Sequence, residues 1–297
     1  MNAIRTIAVI GVGKMGGGIA RNLAKAGLTV QVFDLSADAV QACVADGARA
    51  AESAIACVEG ADLVITSLPM PNHVRDAYTE LAPLLASGTI CMDVSTIDPV
   101  TARELADDLT ARELRFIACP LGKGPAQAAA GELPLFVGGD AATLDELAEV
   151  FSIIGDQVYR LGTVEAACTF KLVSNLIGMT NLAVLAEGYL LCHRAGVDDE
   201  AFANALADTG GWSYQAQLRL PWMMQGDFAP RFPMTLGLKD VRLAVDIAAQ
   251  WGLAVPVGAA GMSQLAAAVA NGYQGEDVNA MLKLLDPLGA VFGDKGN

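Results

Sequence analysis

The sequence has few of the residues that most often bind metals or form disulfides. Its 297 residues include two histidines, His73 and His193, and six scattered cysteines without a Cys-x-x-Cys pair. Zinc sites and disulfide frameworks both need such residues at short, regular spacings. The sequence therefore predicts a reduced protein without a metal site, and we expect it to be cytoplasmic.

Positive charge is also scarce. Nineteen lysines and arginines face 33 acidic residues, which gives a net charge of −14 and a pI near 4.5. Nucleic acids and anionic membranes require a basic surface, so neither is an expected partner. The chain starts without a signal-peptide pattern, and Lys171 and Glu187 interrupt the best membrane-spanning candidate, so we expect neither feature.

The first third of the sequence contains a glycine-rich turn between two short apolar runs. Residues 4–10 form the first run, GVGKMG follows at 11–16, and a second run at 29–33 ends on Asp34. A Gly-x-Gly-x-x-Gly motif is a weak signal by itself. Its position after a strand, before a helix and upstream of an acidic residue indicates a dinucleotide-binding unit.

Each glycine of this turn has a physical role. Gly11 permits the tight turn, Gly13 lets the backbone approach a pyrophosphate, and Gly16 lets the helix pack on the strand. The free N–H groups at the helix start would receive the phosphates. Asp34 would accept hydrogen bonds from the ribose of NAD and repel the extra phosphate of NADP. The predicted cofactor-binding residues of this unit are Gly11, Val12, Gly13, Lys14, Met15, Gly16 and Asp34.

The remaining pattern predicts an α/β fold, a Rossmann-type doubly wound sheet domain followed by an all-α domain. Further strands are expected at 63–67, 90–94, 115–118 and 135–137, and a run at 157–161 would complete the sheet. We expect domains at 1–162 and 163–297. Ligands bind at the carboxyl ends of parallel strands, where the sequence has Leu68 and Pro69, Ser95 and Thr96, and Gly122, Lys123 and Gly124.

Residues 162–195 read as one long helix shared by the two domains. Apolar residues occupy nearly every side of its helical wheel, so we expect protein around most of it. Lys171, Ser174 and Asn175 share one face, and Gly178 leaves space one turn further on. Two interpretations stay open at this point: a substrate site, or a snorkelling lysine beside a satisfied core asparagine.

Five motifs resemble those of the β-hydroxyacid dehydrogenase family, and they span almost the whole chain. They are GVGKMG at 11–16, DVSTIDP at 93–99, CPLGKGPAQAAAGEL at 119–133, KLVSN at 171–175 and FPMTLGLKD at 232–240. The resemblance implies an NAD-dependent oxidoreductase that interconverts a short 3-hydroxy acid, or sulfonate, and its semialdehyde. The candidate substrates are 3-sulfolactaldehyde, 3-hydroxyisobutyrate, tartronate semialdehyde and succinic semialdehyde.

The same resemblance implies a role for individual residues. Lys171 would be the catalytic general acid and base, since one lysine in hydrogen-bond reach serves both directions of the reaction. Asn175 and Ser174 would bind the substrate. Thr96 and Lys239 would contact the cofactor, and Leu68 and Pro69 would form part of its wall, while Asp240 would support Lys239.

Two departures from the family pattern bear on the substrate. Ser174 stands where most members have the first of two asparagines. The usual Ser-Gly-Gly after the fifth strand is replaced by Gly122-Lys123-Gly124. We therefore predict substrate contacts from Ser95, Gly122, Lys123 and Gly124, with Lys123 either binding a strongly acidic group or being a solvated loop charge.

Other functions on the same fold remain alternatives. One is an imine reductase, although such enzymes usually carry aspartate or tyrosine in place of the lysine. Another is a non-catalytic NAD-binding interaction module. The apolar, alanine-rich helical half suggests a homodimer or homotetramer.

Overall fold

The computed structural model describes residues 4–286, which form two compact units that divide between Lys171 and Leu172. The first unit is a parallel six-stranded sheet with helices on both faces. Its strand order is β3-β2-β1-β4-β5-β6. These strands are β1 (Thr6–Ile10), β2 (Thr29–Phe33), β3 (Arg49–Ala50), β4 (Leu63–Thr66), β5 (Ile90–Asp93) and β6 (Arg115–Ala118).

Eight helices lie between the strands of this unit or after them. They are α1 (Gly16–Lys25), α2 (Ala37–Val44), α3 (Ala54–Val58), α4 (Pro71–Leu81), α5 (Pro99–Thr110), α6 (Pro125–Ala130), α7 (Ala141–Glu146) and α8 (Ala148–Ile154). Several begin at a capping side chain. Asp98, for example, accepts a hydrogen bond from the Thr101 N–H at 2.9 Å, and Pro99 follows it at the first helical position.

Two apolar clusters cover the two faces of the sheet. Alternate residues of a strand point to opposite faces, so Ile7 and Val9 belong to one cluster, and Ala8 and Ile10 to the other. The second cluster also contains residues from beyond the last strand, at positions 164, 167 and 168. The long helix therefore begins inside the core of the first unit.

The prediction that residues 157–161 complete the main sheet was wrong. Strand β8 (Gly155–Arg160) instead pairs in parallel with β7 (Leu133–Val137) in a separate two-stranded sheet. Isolated antiparallel bridges join Ala118 to Gly138 and Leu121 to Leu135. The chain after β6 therefore folds back along β7, and this return separates the second sheet from the first.

The six cysteines are all free thiols, five of them buried in the first unit. Burial raises the pKa of Cys57 and of Cys91 to about 12, and it also raises the pKa of the other three buried thiols. Such thiols are protonated at neutral pH and unreactive. Cys192, in the second unit, is half-exposed.

The second unit is helical across its described residues. It comprises most of α9 (Val164–Arg194), then α10 (Asp199–Ala207), α11 (Tyr214–Gln225), α12 (Met234–Gln250), α13 (Pro256–Ala270), a 3-10 turn (Val278–Ala280) and α14 (Met281–Leu285). Glycines let α13 approach α9 closely. A Cβ on Gly258 would lie 2.6 Å from the Leu176 side chain, and one on Gly261 3.0 Å from the Thr180 hydroxyl.

Helix α9 has 31 residues, and the expectation of protein around most of it holds except on one face. Large apolar side chains are exposed along one face, at positions 170, 173, 177, 184 and 191. By length and composition alone α9 could cross a membrane, although Lys171 and Glu187 interrupt its apolar sequence. This is weak evidence, because the core helix of a soluble protein passes the same test.

Candidate active site

The glycine turn lies where the carboxyl ends of three strands meet. The Gly11 N–H donates to the Phe33 carbonyl at 2.9 Å, and Gly11 has a φ of +88°. A Cβ on Gly11 would lie 2.4 Å from the Ser67 carbonyl oxygen, and one on Gly16 2.0 Å from the Gly11 carbonyl oxygen. Any side chain at either position would push the backbones apart, so the sequence requires glycine at both.

Gly13 is different, because a Cβ there would meet nothing within 4 Å. The residue is exposed, lies on the amino-terminal side of α1, and leaves open space beside its backbone. This is the cradle that a pyrophosphate needs at a helix start. Of its neighbours, Val12 is buried, Met15 is half-buried and Lys14 is exposed. The turn thus fits the phosphates of a dinucleotide.

Asp34 closes β2 beside this turn. Its two carboxylate oxygens accept hydrogen bonds from the N–H groups of Val12 and Ser36, each at 2.8 Å. The first bond joins the carboxylate to the glycine turn itself. Leu35, which follows, is 97% exposed. The acidic group predicted to meet the ribose of NAD therefore has a fixed orientation.

A buried carboxylate that the sequence analysis did not single out joins the loops after β4 and β5. Asp93, 1% exposed, accepts hydrogen bonds from the hydroxyls of Thr66 at 2.7 Å and Ser95 at 2.6 Å. The Ser95 oxygen in turn accepts the Leu68 N–H at 2.9 Å. A signal for this role existed in the sequence, since the aspartate ends a buried strand and precedes a serine by two residues.

This network bears on the predicted substrate contact of Ser95. The residue is buried, and its hydroxyl both donates and accepts within the protein. In this structure it orients the backbone that carries Leu68. Thr96 and Leu68 are half-buried and Pro69 is exposed, all following the ends of neighbouring strands.

The loop at Gly122–Gly124 follows β6 and is fixed to β7 by its backbone. The Gly122 N–H donates to the Pro134 carbonyl at 2.8 Å. Lys123 has a φ of +57°, a left-handed conformation that costs a residue with a Cβ about 1–2 kcal/mol. The Gly124 N–H donates to the Gln127 side chain at 3.3 Å at the start of α6.

Lys123 already has partners within the protein. Its ammonium lies 3.4 Å from the Asp156 carboxylate and donates to the Glu132 carbonyl at 3.3 Å. The pair is partly exposed, so it is a weak interaction. An anionic substrate that binds Lys123 would have to compete with Asp156.

Lys171 is the last residue of the first unit. The turns of α9 before it are held there by apolar contacts and by an ion pair between Glu165 and Arg103 of α5. The ring of Phe170 packs on Phe136 of β7, with centroids 4.7 Å apart. The backbone that carries Lys171 is therefore fixed by the first unit.

In the second unit a buried carboxylate connects two predicted site residues. Asp240, 3% exposed, accepts a hydrogen bond from the Asn175 side-chain amide at 2.5 Å. Its other oxygen lies 2.9 Å from the Lys239 ammonium. Asp240 thus supports Lys239, as expected, and it also orients Asn175. Ser174 is exposed beside Asn175.

The space expected beside Gly178 is filled by the protein. A Cβ on Gly178 would lie 2.9 Å from the amide nitrogen of Gln215 on α11. Gln215 also accepts a hydrogen bond from Arg219, which pairs at 3.1 Å with the buried Asp277. Gly178 therefore serves the packing of α11 on α9.

The comparisons with known proteins agree with this arrangement. A family described as the NAD-binding domain of 6-phosphogluconate dehydrogenase matches residues 6–162. A second, described as the NAD-binding domain of NADP-dependent 3-hydroxyisobutyrate dehydrogenase, matches residues 166–285. The chain belongs to the β-hydroxyacid dehydrogenase family. This confirms the resemblance seen in the sequence, and it makes the protein an NAD(P)-dependent hydroxyacid dehydrogenase.

Similar members of the family differ in the substrates for which they are named. The NAD-dependent L-serine dehydrogenase of Pseudomonas aeruginosa is 33% identical, over 96% of this chain and 99% of that protein. The 3-hydroxyisobutyrate dehydrogenase of the same organism is 34% identical, over 85% of this chain and 88% of that protein. A solved structure of the Mycobacterium tuberculosis 3-hydroxyisobutyrate dehydrogenase with L-serine is 28% identical in sequence. Its TM-score is 0.88, and the match covers 95% of this chain and 99% of that chain.

Imine reductases share the fold more distantly. One from Bacillus cereus is 19% identical, with a TM-score of 0.62 over 95% of this chain and 99% of that chain. At this identity the likeness shows the fold alone. The confirmed fold class is a Rossmann-type domain followed by helices, with a long helix at the transition.

The geometry around Asp240 predicts the effect of removing its charge. Asp240→Asn keeps the size of the side chain but removes the charge that pairs with Lys239, and breaking a buried ion pair from one side costs about 3–5 kcal/mol. We expect calorimetry to show a free energy of unfolding lower by that amount. Asp246→Asn, an exposed site on the same helix, is the control and should stay within about 0.5 kcal/mol. Equal stability of the two variants would contradict the role of Asp240.

Proposed function

We propose that the protein interconverts a short 3-hydroxy acid, or the corresponding sulfonate, and its semialdehyde, with Lys171 as general acid and base. The observation that carries the proposal is the face of α9 on which Lys171 and Asn175 lie one turn apart, with the Asn175 amide oriented by the buried Asp240. A lysine and an oriented amide suit a substrate with a reacting oxygen and a second polar group.

In the proposed reaction the dinucleotide and Lys171 have separate tasks, hydride transfer and proton transfer. A bound nicotinamide dinucleotide supplies a site that accepts or returns a hydride. Lys171 takes the proton from the substrate hydroxyl in oxidation and delivers it to the aldehyde oxygen in reduction. Asn175 holds the substrate so that this oxygen stays within reach of the Lys171 nitrogen, which is an amine when it takes the proton and an ammonium when it delivers it.

The substrate class is proposed to be anionic and small. The names of relatives include L-serine and 3-hydroxyisobutyrate, both of which have an acid group near a hydroxyl. The overall charge of −14 repels an anion, so the attraction has to come from cations at the site. Lys123 is the cation proposed for the acid group, which extends the candidates to 3-sulfolactaldehyde and to tartronate and succinic semialdehydes.

NAD is the proposed cofactor. The support is the fixed carboxylate of Asp34 at the end of β2, since a carboxylate repels the 2′-phosphate of NADP. Leu35 and Ser36 follow, so neither of the next two residues is an arginine that could neutralise that phosphate.

Self-association is a further part of the proposal, as a homodimer or homotetramer. Its support is the exposed apolar face of α9, because exposed apolar patches often mark protein contacts. Light scattering of the purified chain tests it, and a monomer at working concentration would exclude it.

Replacing Lys171 tests the proposed chemistry. Lys171→Ala should lower kcat by about 10²- to 10⁴-fold, the usual contribution of positioned acid–base catalysis. NADH binding, followed by fluorescence, should stay unchanged. Turnover is measured by NADH absorbance across C3 and C4 semialdehydes, with cyclic imines as the alternative substrates. Lys25→Ala, an exposed lysine on α1, is the control, and a Lys171→Ala enzyme with most of its kcat would refute the assignment.

Cofactor choice has its own test. We expect a higher kcat/KM with NAD than with NADP, and the double change Asp34→Ser with Leu35→Arg should shift the ratio toward NADP. Leu35→Arg alone is the control, because it adds the cation while Asp34 still repels the phosphate. A wild-type preference for NADP would overturn the proposal.

The role of Lys123 is tested by comparing variants of Lys123 and of Asp156, with which it pairs. Lys123→Ala keeps the Cβ, so the backbone strain is unchanged, and it should raise KM for the acidic substrate about 10- to 100-fold, the value of one charge-assisted hydrogen bond. Asp156→Asn removes the competing carboxylate and should leave this KM equal or lower. If both variants raise KM to the same extent, the Lys123–Asp156 pair only stabilises the loop. If neither variant changes KM, Lys123 is a solvated charge.

A further inference from the structure

The loop before α6 is joined to β7 by an isolated antiparallel bridge. The Phe136 N–H donates to the Pro120 carbonyl at 3.0 Å, and the Gly122 N–H donates to the Pro134 carbonyl at 2.8 Å. Leu121 and Leu135 form the bridge between these two bonds. The backbone at position 122 is therefore fixed to β7.

Two side chains of β7 lie against Gly122 itself. A Cβ there would be 2.9 Å from the Pro134 Cγ and 3.2 Å from the Phe136 Cζ. The first distance is shorter than real Cβ contacts, and the second is tight. A side chain at 122 would therefore push on Pro134 and shift the tip of the Phe136 ring by a few tenths of an ångström.

The same ring also contacts the start of α9. Phe136 and Phe170 pack edge to face, with centroids 4.7 Å apart and an interplanar angle of 61°. Phe136 is 9% exposed and Phe170 is 42% exposed. Phe170 immediately precedes Lys171, so a rotation of α9 that displaces one side chain displaces the other.

We infer that Phe136 is a positioning residue that couples the loop at Gly122–Gly124 to Lys171. The ring contacts both the loop and the residue before Lys171, so a shift of the ring acts on the spacing between the two. This inference rests on the proposed function, in which the loop binds the acid group and Lys171 moves the proton. Reaction rate is sensitive to small errors in such a distance.

The test is a double-mutant cycle. Gly122→Ala displaces the ring and Phe136→Leu removes it, and each should lower kcat about tenfold while the Kd for NADH stays unchanged. In Gly122→Ala with Phe136→Leu the contact with Pro134 remains but there is no ring to displace, so, if the ring transmits the effect, the loss of kcat should stay near tenfold and not reach the hundredfold of independent changes. That tenfold shortfall corresponds to about 1.4 kcal/mol of coupling.

Tyr159→Leu is the matched control. Tyr159 also packs on Phe136, at 5.8 Å, but it lies on β8 and is half-exposed. Its loss should leave kcat within about twofold. Phe170→Leu is the second variant, for the case that Phe136→Leu does not fold, and it should show the same coupling to Gly122→Ala.

Each outcome decides the inference. Losses that multiply in the double variant, or a Tyr159→Leu enzyme as slow as Phe136→Leu, would overturn it and assign Phe136 to general stability. Wild-type turnover and its loss in Lys171→Ala are measured beside the cycle. A wild type inactive on hydroxy acids would refute the proposed function, whereas an active wild type without coupling refutes only the role of Phe136.

Discussion

The close approach of backbones at Gly11 is the constraint on which the cofactor region depends. Three strand ends converge there, so closely that a Cβ would fall 2.4 Å from the Ser67 carbonyl oxygen. This convergence brings Asp34 to the Val12 N–H and leaves Gly13 open to solvent. The phosphate cradle is thus a result of how the strand ends converge at the carboxyl edge of the sheet.

Two buried carboxylates, outside the glycine turn, also fix the groups around them. Asp93 holds the hydroxyls and backbone of the loops after β4 and β5, and Asp240 holds an amide and an ammonium in the helical unit. Both are buried, and each orients the groups that contact it. A buried carboxylate with several partners is costly to disturb, which makes it suitable for this task.

Much of the first unit could be predicted because strong local signals agreed with the final fold. The strands at 29–33 and 115–118 have the predicted bounds, since β-branched runs between turn residues have few alternatives. The separate sheet of β7 and β8 could not be predicted, because it depends on the chain folding back after β6. The partners of Ser95 and Lys123 also arise from distant residues, and periodicity carries no information about them.

The distribution of cysteines has a practical consequence. Every thiol of the first unit is buried and has a raised pKa, while Cys192 of the second unit is half-exposed. A thiol-exchange reagent should therefore modify one cysteine readily and the other five only when the sheet opens. Mass spectrometry of the modified cysteines would then report local opening of the Rossmann core, and modification of Cys192 would be the internal control for reagent activity.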